Sequence, residues 1–294
     1  VIVTNDEVQR HNPDTLLPPD QEFAEEYDRT VRHGRAMAAE SSVAFVAICR
    51  NAMPWLPNTL RLVEQTGAMF REWSAFIYEN DSHDGTKDVL AAWHDGNQKY
   101  CRIGDNGRPH LNFTTDPTRT HALAEYRAVC QEFVRRRGPV DYVIVFDTDP
   151  WGGWSIDGVA HSVSHLATDH DWYGLAAYSW CEWGRPMFPQ PTPSHYDAFA
   201  ARKNHWQQRD QLWFHVWHPP VGSPPVEFNS AFGQLAIYRA GSYLAGTYTG
   251  EDCEHVCFHR SIYREGPQCR RFGINPSMRV VSFWTPDEVK DAER

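Results

Sequence analysis

The stretch DYVIVFDTDP, residues 141–150, limits the possible folds more than any other part of this chain. Tyr142, Val143, Ile144, Val145 and Phe146 are β-branched or aromatic with no polar residue between them, so the strand they form needs cover on both faces. Helices give such cover, and the sequence upstream supplies them in alternation with strands. SVAFVAICRNA, from Ser42, is another continuous apolar strand, and MPWLPNTLRLVEQTGAMF predicts a helix starting near Pro57. WSAFIYENDSHDGT reads as a strand ending in a polar turn, with Thr86 placed to cap the helix KDVLAAWHDG. KYCRIGD predicts a short strand, and TRTHALAEYRAVCQEFVRRRG a long helix with a basic last turn and Gly138 as its stop. This alternation implies one α/β domain, with a Rossmann-like, mostly parallel sheet and helices on both faces.

The flanks differ from this pattern. Residues 1–41 read as a charged N-terminal helical extension packed on the main domain, which spans 42–294. Beyond the 141–147 strand, a helix is expected over SIDGVAHSVSHLA and a strand over WYGLAAYSW. Residues 183–228 are rich in Pro, Trp and His and predict a long loop region with one helix near Ala198–Gln208. SAFGQLAIYRAGSYL returns to strand and then turn.

Whole-chain properties exclude several classes. At 294 residues the chain can bury a large core, and a formal net charge of −10 argues against general nucleic-acid binding or attraction to anionic membranes. No run of about 18 apolar residues is present to span a bilayer. Seven cysteines form no regular framework and no stretch resembles a secretory signal, so reduced thiols and a cytoplasmic location are expected. G-x-S-x-G, G-x-G-x-x-G and G-x-x-x-x-G-K-[ST] are all absent from the sequence.

Open α/β sheets bind ligands outside the carboxyl ends of their strands. Arg50 and Asn51, the turn from Glu79 to Asp84, and Asp147 with Asp149 fall at those ends and are expected to converge. Asp147 and Asp149 lie on alternate residues where the backbone leaves its strand, so one can meet a cation directly and the other through the same ion or its water. Hard oxygen donors suit Mg²⁺ or Mn²⁺ shared with substrate phosphates. Two solvated acids at a strand-to-loop junction are the plain alternative. Near the C-terminus, helical spacing in GEDCEHVCFHR puts Asp252, His255 and His259 along one face. In a strand, Cys253, His255, Cys257 and His259 would instead share a face as a zinc site, though without the usual C-x₂-C pair.

In their order and spacing, ICRNAMPWLPNTL, YENDSHDGTKDVL, ALAEYRAVC, VIVFDTD, FNSAFGQLAIYR and GEDCEHVCFHRSIYREG resemble the D-x-D (DXD) glycosyltransferases of the GT-A fold, from about Ser42 to Met278. The nearest flavour is the capsule-type mannosyltransferase branch. The resemblance implies a metal-dependent hexosyltransferase that moves sugar from a nucleotide diphosphate sugar to a saccharide or other hydroxyl acceptor, with Mn²⁺ or Mg²⁺ as cofactor. Glu79 and Asp81 would contact the nucleoside, Arg127 and Arg119 the diphosphate, and Asp147 with Asp149 the ribose and the metal. Arg50 and Asn51 would border the same nucleotide-sugar site. His255, and after it His259, would add a metal ligand. Asp252 or Glu251 matches the catalytic base, although Glu254–His255 replaces the acid–apolar pair usual there. A nucleotidyltransferase, or a non-catalytic carbohydrate-binding protein on the same sheet, are the alternatives.

Overall fold

The computed structural model describes residues 5–97, 101–108, 111, 117–183, 191–204, 206, 212–265 and 271–286. Three helices come first: α1 (Asn5–Arg10), α2 (Pro13–Leu16) and α3 (Ala24–Ala39). Strands and helices then alternate through β1 (Ser42–Cys49), α4 (Leu56–Gly67), β2 (Glu72–Glu79), α5 (Thr86–Gly96), β3 (Cys101–Asp105), α6 (Pro117–Arg137) and β4 (Tyr142–Asp147). The second half runs β5 (Gly153–Trp154), α7 (Ile156–Thr168), β6 (Trp172–Trp183), β7 (Thr192–His195), α8 (Leu212–His215) and β8 (Val226–Phe228). It ends with β9 (Leu235–Arg239), α9 (Ala240–Ala245), α10 (Glu254–Glu265) and β10 (Arg271–Phe283).

Among the described residues, all ten strands join one sheet, in the order β3-β2-β1-β4-β9-β6-β10-β5, with β7 beside β6 and β8 beside β10. β1 to β4 are mutually parallel; β9 is antiparallel to both β4 and β6, so β6 and β10 run in the direction of β4. Period-2 alternation sorts the strand side chains into two cores. Val43, Phe45 and Ala47 of β1 join Ile144 and Phe146 of β4 in packing under α4 and α7. Ala44, Val46, Val143 and Val145 face the other way, against α6, α9 and α10. This two-sided burial is why YVIVF, between Asp141 and Asp147, carries no charged residue.

Gly138, in a left-handed conformation at φ +95°, ends α6 as expected. Thr86 does not cap α5 in the expected way. It is the first helical residue, its N–H donates to Asp84 Oδ1 at 3.1 Å, and its own hydroxyl accepts the Ala52 N–H at 2.9 Å. The helix expected near Ala198–Gln208 does not form in its described part, where turn residues lead to an isolated bridge between Arg202 and Ser230. Positions 205 and 207–208 of that expectation lie outside the described residues.

The first three helices are fastened to the sheet from below. α3 lies along α7, where Gly34 meets the Ala160 carbonyl with no room for a side chain. β10 bulges between Asn275 and Arg279, around a proline that cannot donate to the ladder. The bulge directs the fully buried Arg279 to Asp14 Oδ1 (2.9 Å), the Tyr27 hydroxyl (2.8 Å), Ser155 Oγ (2.9 Å) and the Leu17 carbonyl. None of the helices among the described residues is long and apolar enough to cross a membrane.

Candidate active site

The parallel strands end level with one another. Cys49 is opposite Glu79 across β1 and β2, and Ile48 is opposite Asp147 across β1 and β4. A pocket of about 340 Å³ opens there. It is lined by Cys49, Arg50 and Asn51 after β1, Asn80 after β2, and Asp147, Thr148 and Asp149 after β4. From the second half of the chain, Tyr196 and Gln234 complete the lining. α6 contributes Arg119, Ala122, Leu123 and Tyr126, which recur at i, i+3, i+4 and i+7 and so share one helix face. The convergence expected of Arg50, Asn51, Asp147 and Asp149 is therefore present.

Glu79 and Asp81 have a different relation to the pocket. Glu79 is buried and accepts the N–H groups of Asp81 (3.1 Å) and Ser82 (2.6 Å), which fixes the turn. Asp81 adopts φ +53°, with its carboxylate 3.7 Å from Lys87 Nζ. The turn is tied to the end of β1: Asn51 N–H donates to Ser82 Oγ (2.9 Å), and Asn51 Oδ1 accepts the His83 N–H (2.9 Å). Arg50 Nη1 reaches the Asn80 carbonyl at 3.1 Å. Neither Glu79 nor Asp81 lines the pocket itself; Asn80 between them does.

Arg127 is next in sequence to Tyr126, so it points about 100° away around the helix, into the protein. It is buried behind Asp147, 3.2 Å from that carboxylate and 3.8 Å from Glu254, with its guanidinium over the Phe232 ring at 5.1 Å. Burial works against its charge, but Asp147 and Glu254 outweigh this and raise its pKa. Its Nε and Nη1 nevertheless have no hydrogen-bond partner. Burial also pushes the Asp147 carboxyl up to about 7; Asp149 and Asp197 add to this and Arg127 opposes it. Asp149 is exposed to the pocket, and its carboxyl too is raised by the surrounding protein.

The segment from Glu251 to His259 does not present one uniform stripe, because α10 begins only at Glu254. Asp252 precedes it and accepts two bonds from the buried Arg202 Nη2, both at 3.0 Å. Glu251 lies exposed beside Cys257. His255 is buried and stacks on Phe232 at 3.9 Å; neither ring nitrogen has a hydrogen-bond partner, and burial holds its pKa well below the usual value. His259 sits deeper, with Nδ1 bonded to Ser230 Oγ (2.8 Å) and Nε2 to the Tyr238 hydroxyl (2.9 Å). The alternating zinc arrangement required a strand; Cys253 instead precedes α10, and the helix turns Cys257 away from the face shared by His255 and His259.

Three contributors escaped sequence reading. Tyr126 was legible, since a helical repeat drawn back to Arg119 passes through it. Asp197 and Gln234 carried no periodic signal; each sits in irregular backbone at positive φ, +62° and +64°. Asp197 accepts the N–H groups of Gly233 (2.9 Å) and Ala200 (3.3 Å), and burial pushes its carboxyl up to about 6. With Asn51 and Asp81, they are four non-glycine residues in the left-handed region in or next to the pocket, where strained backbone commonly marks function.

The donor set suits a hard divalent cation. Mg²⁺ needs only one or two protein carboxylates when water and substrate phosphate complete its shell. Asp147 and Asp149, both in the pocket lining, offer such a pair. Among the described residues, no three or more His, Cys, Asp or Glu are grouped to hold a metal by themselves.

No protein-family model matches the chain, and no curated protein matches it in sequence. Solved structures do. GalNAc-T7 with UDP, GalNAc and Mn²⁺ superposes with a TM-score of 0.53 at 14% identity, covering 84% of this chain and 45% of that one. The mannosyltransferase PcManGT from Pyrobaculum calidifontis, in complex with GDP-Man and Mn²⁺, gives 0.47 at 13% identity over 87% of this chain and 62% of that one. Glucosyl-3-phosphoglycerate synthase from Mycobacterium tuberculosis, with Mn²⁺, UDP and phosphoglyceric acid, gives 0.49 at 11% identity over 89% and 78%. The chain thus spans less than two thirds of the first two. At such identities the likeness concerns the fold alone, and with GalNAc-T7 it is plain: this chain has the GT-A-like α/β fold.

Proposed function

We propose that the protein transfers a hexosyl group from a nucleoside diphosphate sugar to a hydroxyl acceptor with the help of Mn²⁺ or Mg²⁺. The observation that carries this reading is the pair Asp147 and Asp149 in a pocket at the level ends of three parallel strands, on a GT-A-like sheet. The turn braced by Glu79, with Asp81 and Asn80, receives the nucleoside. Arg50 and Arg119 line the same pocket and face the diphosphate. Arg127 acts from behind, holding Asp147 in place and opposing its protonation. Asp147 and Asp149 would hold the cation, with water and substrate phosphate completing its shell. A divalent ion bound there supplies charge neutralisation as the nucleoside diphosphate leaves.

In the transfer, the anomeric carbon exchanges its bond to phosphate oxygen for one to the acceptor oxygen, and the acceptor proton goes to a base. Asp252 is our candidate base. Arg202 fixes it, yet a carboxylate keeps further lone pairs for a hydroxyl proton. The test is a thermal-shift screen of nucleotide sugars with and without Mn²⁺, followed by product analysis with candidate acceptors. A ligand of the folded state raises the midpoint, and release of nucleoside diphosphate is expected. Absence of any shift with every nucleotide sugar overturns the proposal. Release of pyrophosphate from a nucleoside triphosphate assigns a nucleotidyltransferase instead.

A further inference from the structure

Gln234 combines two unfavourable features at one position. It immediately precedes β9, with its backbone in the left-handed region at φ +64°. Its carbonyl accepts the Asp147 N–H at 2.9 Å, which clamps the residue against the aspartate that ends β4. The side chain lines the pocket and is only 7% exposed, yet its Oε1 has no hydrogen-bond partner. Folded proteins rarely leave a buried acceptor unsatisfied, and one that faces a pocket points to a ligand. Glycine would relieve the strained backbone, and this chain carries glutamine there instead.

We infer that Gln234 reads a hydroxyl of the sugar carried by the donor, and so helps select which sugar is transferred. This deepens the nucleotide-sugar reading above and rests on it. The carbonyl oxygen needs a donor, and the phosphate oxygens of an ionised diphosphate have none to give. A sugar hydroxyl both donates and accepts, so it can satisfy the carbonyl oxygen and the amide nitrogen alike. The clamp to Asp147 holds the amide beside the proposed cation pair, where the diphosphate and the rings flanking it would lie. Of those rings the ribose is common to all donors, whereas the transferred sugar is the one a selective residue must distinguish.

Gln234→Gly and Gln234→Asn both tolerate positive φ, so each removes or shortens the amide without adding strain. Calorimetric titration in Mn²⁺ would compare parent and variants with two ligands: the nucleotide sugar that most stabilises the parent, and its nucleoside diphosphate. The expected result is an affinity for the nucleotide sugar about tenfold weaker in both variants, as for one lost hydrogen bond, with nucleoside diphosphate affinity unchanged. A donor analogue lacking the recognised hydroxyl should bind the parent about as weakly, and Gln234→Gly should then cost nothing further. Equal weakening of both ligands moves the contact to the ribose or to the fold and overturns the inference, as does unchanged binding of both. If the parent binds no nucleotide sugar, the functional reading fails and the inference with it. A failure confined to the Gln234 variants leaves that reading standing.

Discussion

Arg127→Met tests the buried charge arrangement behind the pocket. The substitution keeps a chain of similar length but removes a cation that lies 3.2 Å from Asp147 and 3.8 Å from Glu254. Removing one partner of a buried ion pair costs about 3–5 kcal/mol, because the remaining charge is left uncompensated. Here the lower end applies. Asp147 keeps 29% of its side chain exposed, so solvent screens part of its charge. We therefore expect a loss of about 3 kcal/mol. The pH dependence gives a second readout. In the folded protein the Asp147 carboxyl stands at about 7 against an ordinary value of 3.8, despite the pull of Arg127. A carboxyl raised on folding keeps its proton when the unfolded chain has already released it, so its contribution to stability falls as pH rises through that interval. Without Arg127 the carboxyl rises further and the fall extends to higher pH. Urea unfolding of parent and variant should show a larger deficit at pH 8 than at pH 5. Stability within about 1 kcal/mol of the parent at pH 8 would refute the pair's importance, and a deficit larger at pH 5 would refute the assigned charges.

Other substitutions probe separate parts. Asp149→Ala should leave the unfolding midpoint unchanged and abolish the Mn²⁺-dependent part of nucleotide-sugar binding; retained Mn²⁺ dependence in titrations would move the cation elsewhere. Asp252→Asn keeps the contact with Arg202 in part but removes basicity, so turnover should fall about a hundredfold with donor affinity unchanged. Full turnover in that variant would assign the base to another group. Gly34→Ala places a methyl on the Ala160 carbonyl of α7, and should destabilise the protein by about 1–3 kcal/mol, seen in urea unfolding. Parent-like stability there would mean that α3 and α7 are not held in contact.

Much of the sheet was legible because strand burial is written in consecutive letters. A strand covered on both faces must be apolar along its covered length, and β1 from Val43 and β4 as far as Phe146 are. Helix α6 announced itself by length and a glycine stop, and the resemblance pointed to both Arg127 and Arg119, of which only Arg119 lies on the pocket face with Tyr126. Charge identified the helix, and only the 3.6-residue period identifies its face. The region after β6 was misread near Ala198 because its order comes from single tertiary contacts, such as the Arg202–Ser230 bridge and the Asp197 bond to Gly233, which leave no local pattern. Gln234 shows the same limit. Its position depends on the Asp147 N–H of a strand far upstream, so nothing in its neighbours marks it.

The Arg279 clamp has a consequence for how the chain reaches this structure. Asp14, Leu17 and Tyr27 find their partner 265, 262 and 252 residues later. At translation rates of about 5–20 residues per second, the first helices would wait about 13–50 s for the strand that secures them. Meanwhile the α3 face that packs on α7 can be covered only after α7 emerges, and its final tie comes later still. Closure between such distant segments is slow, so these helices, although made before the sheet, are among the last elements to be fixed. A pulse-labelled hydrogen-exchange experiment during refolding should find amides of β1, β2 and β4 protected before those of α3.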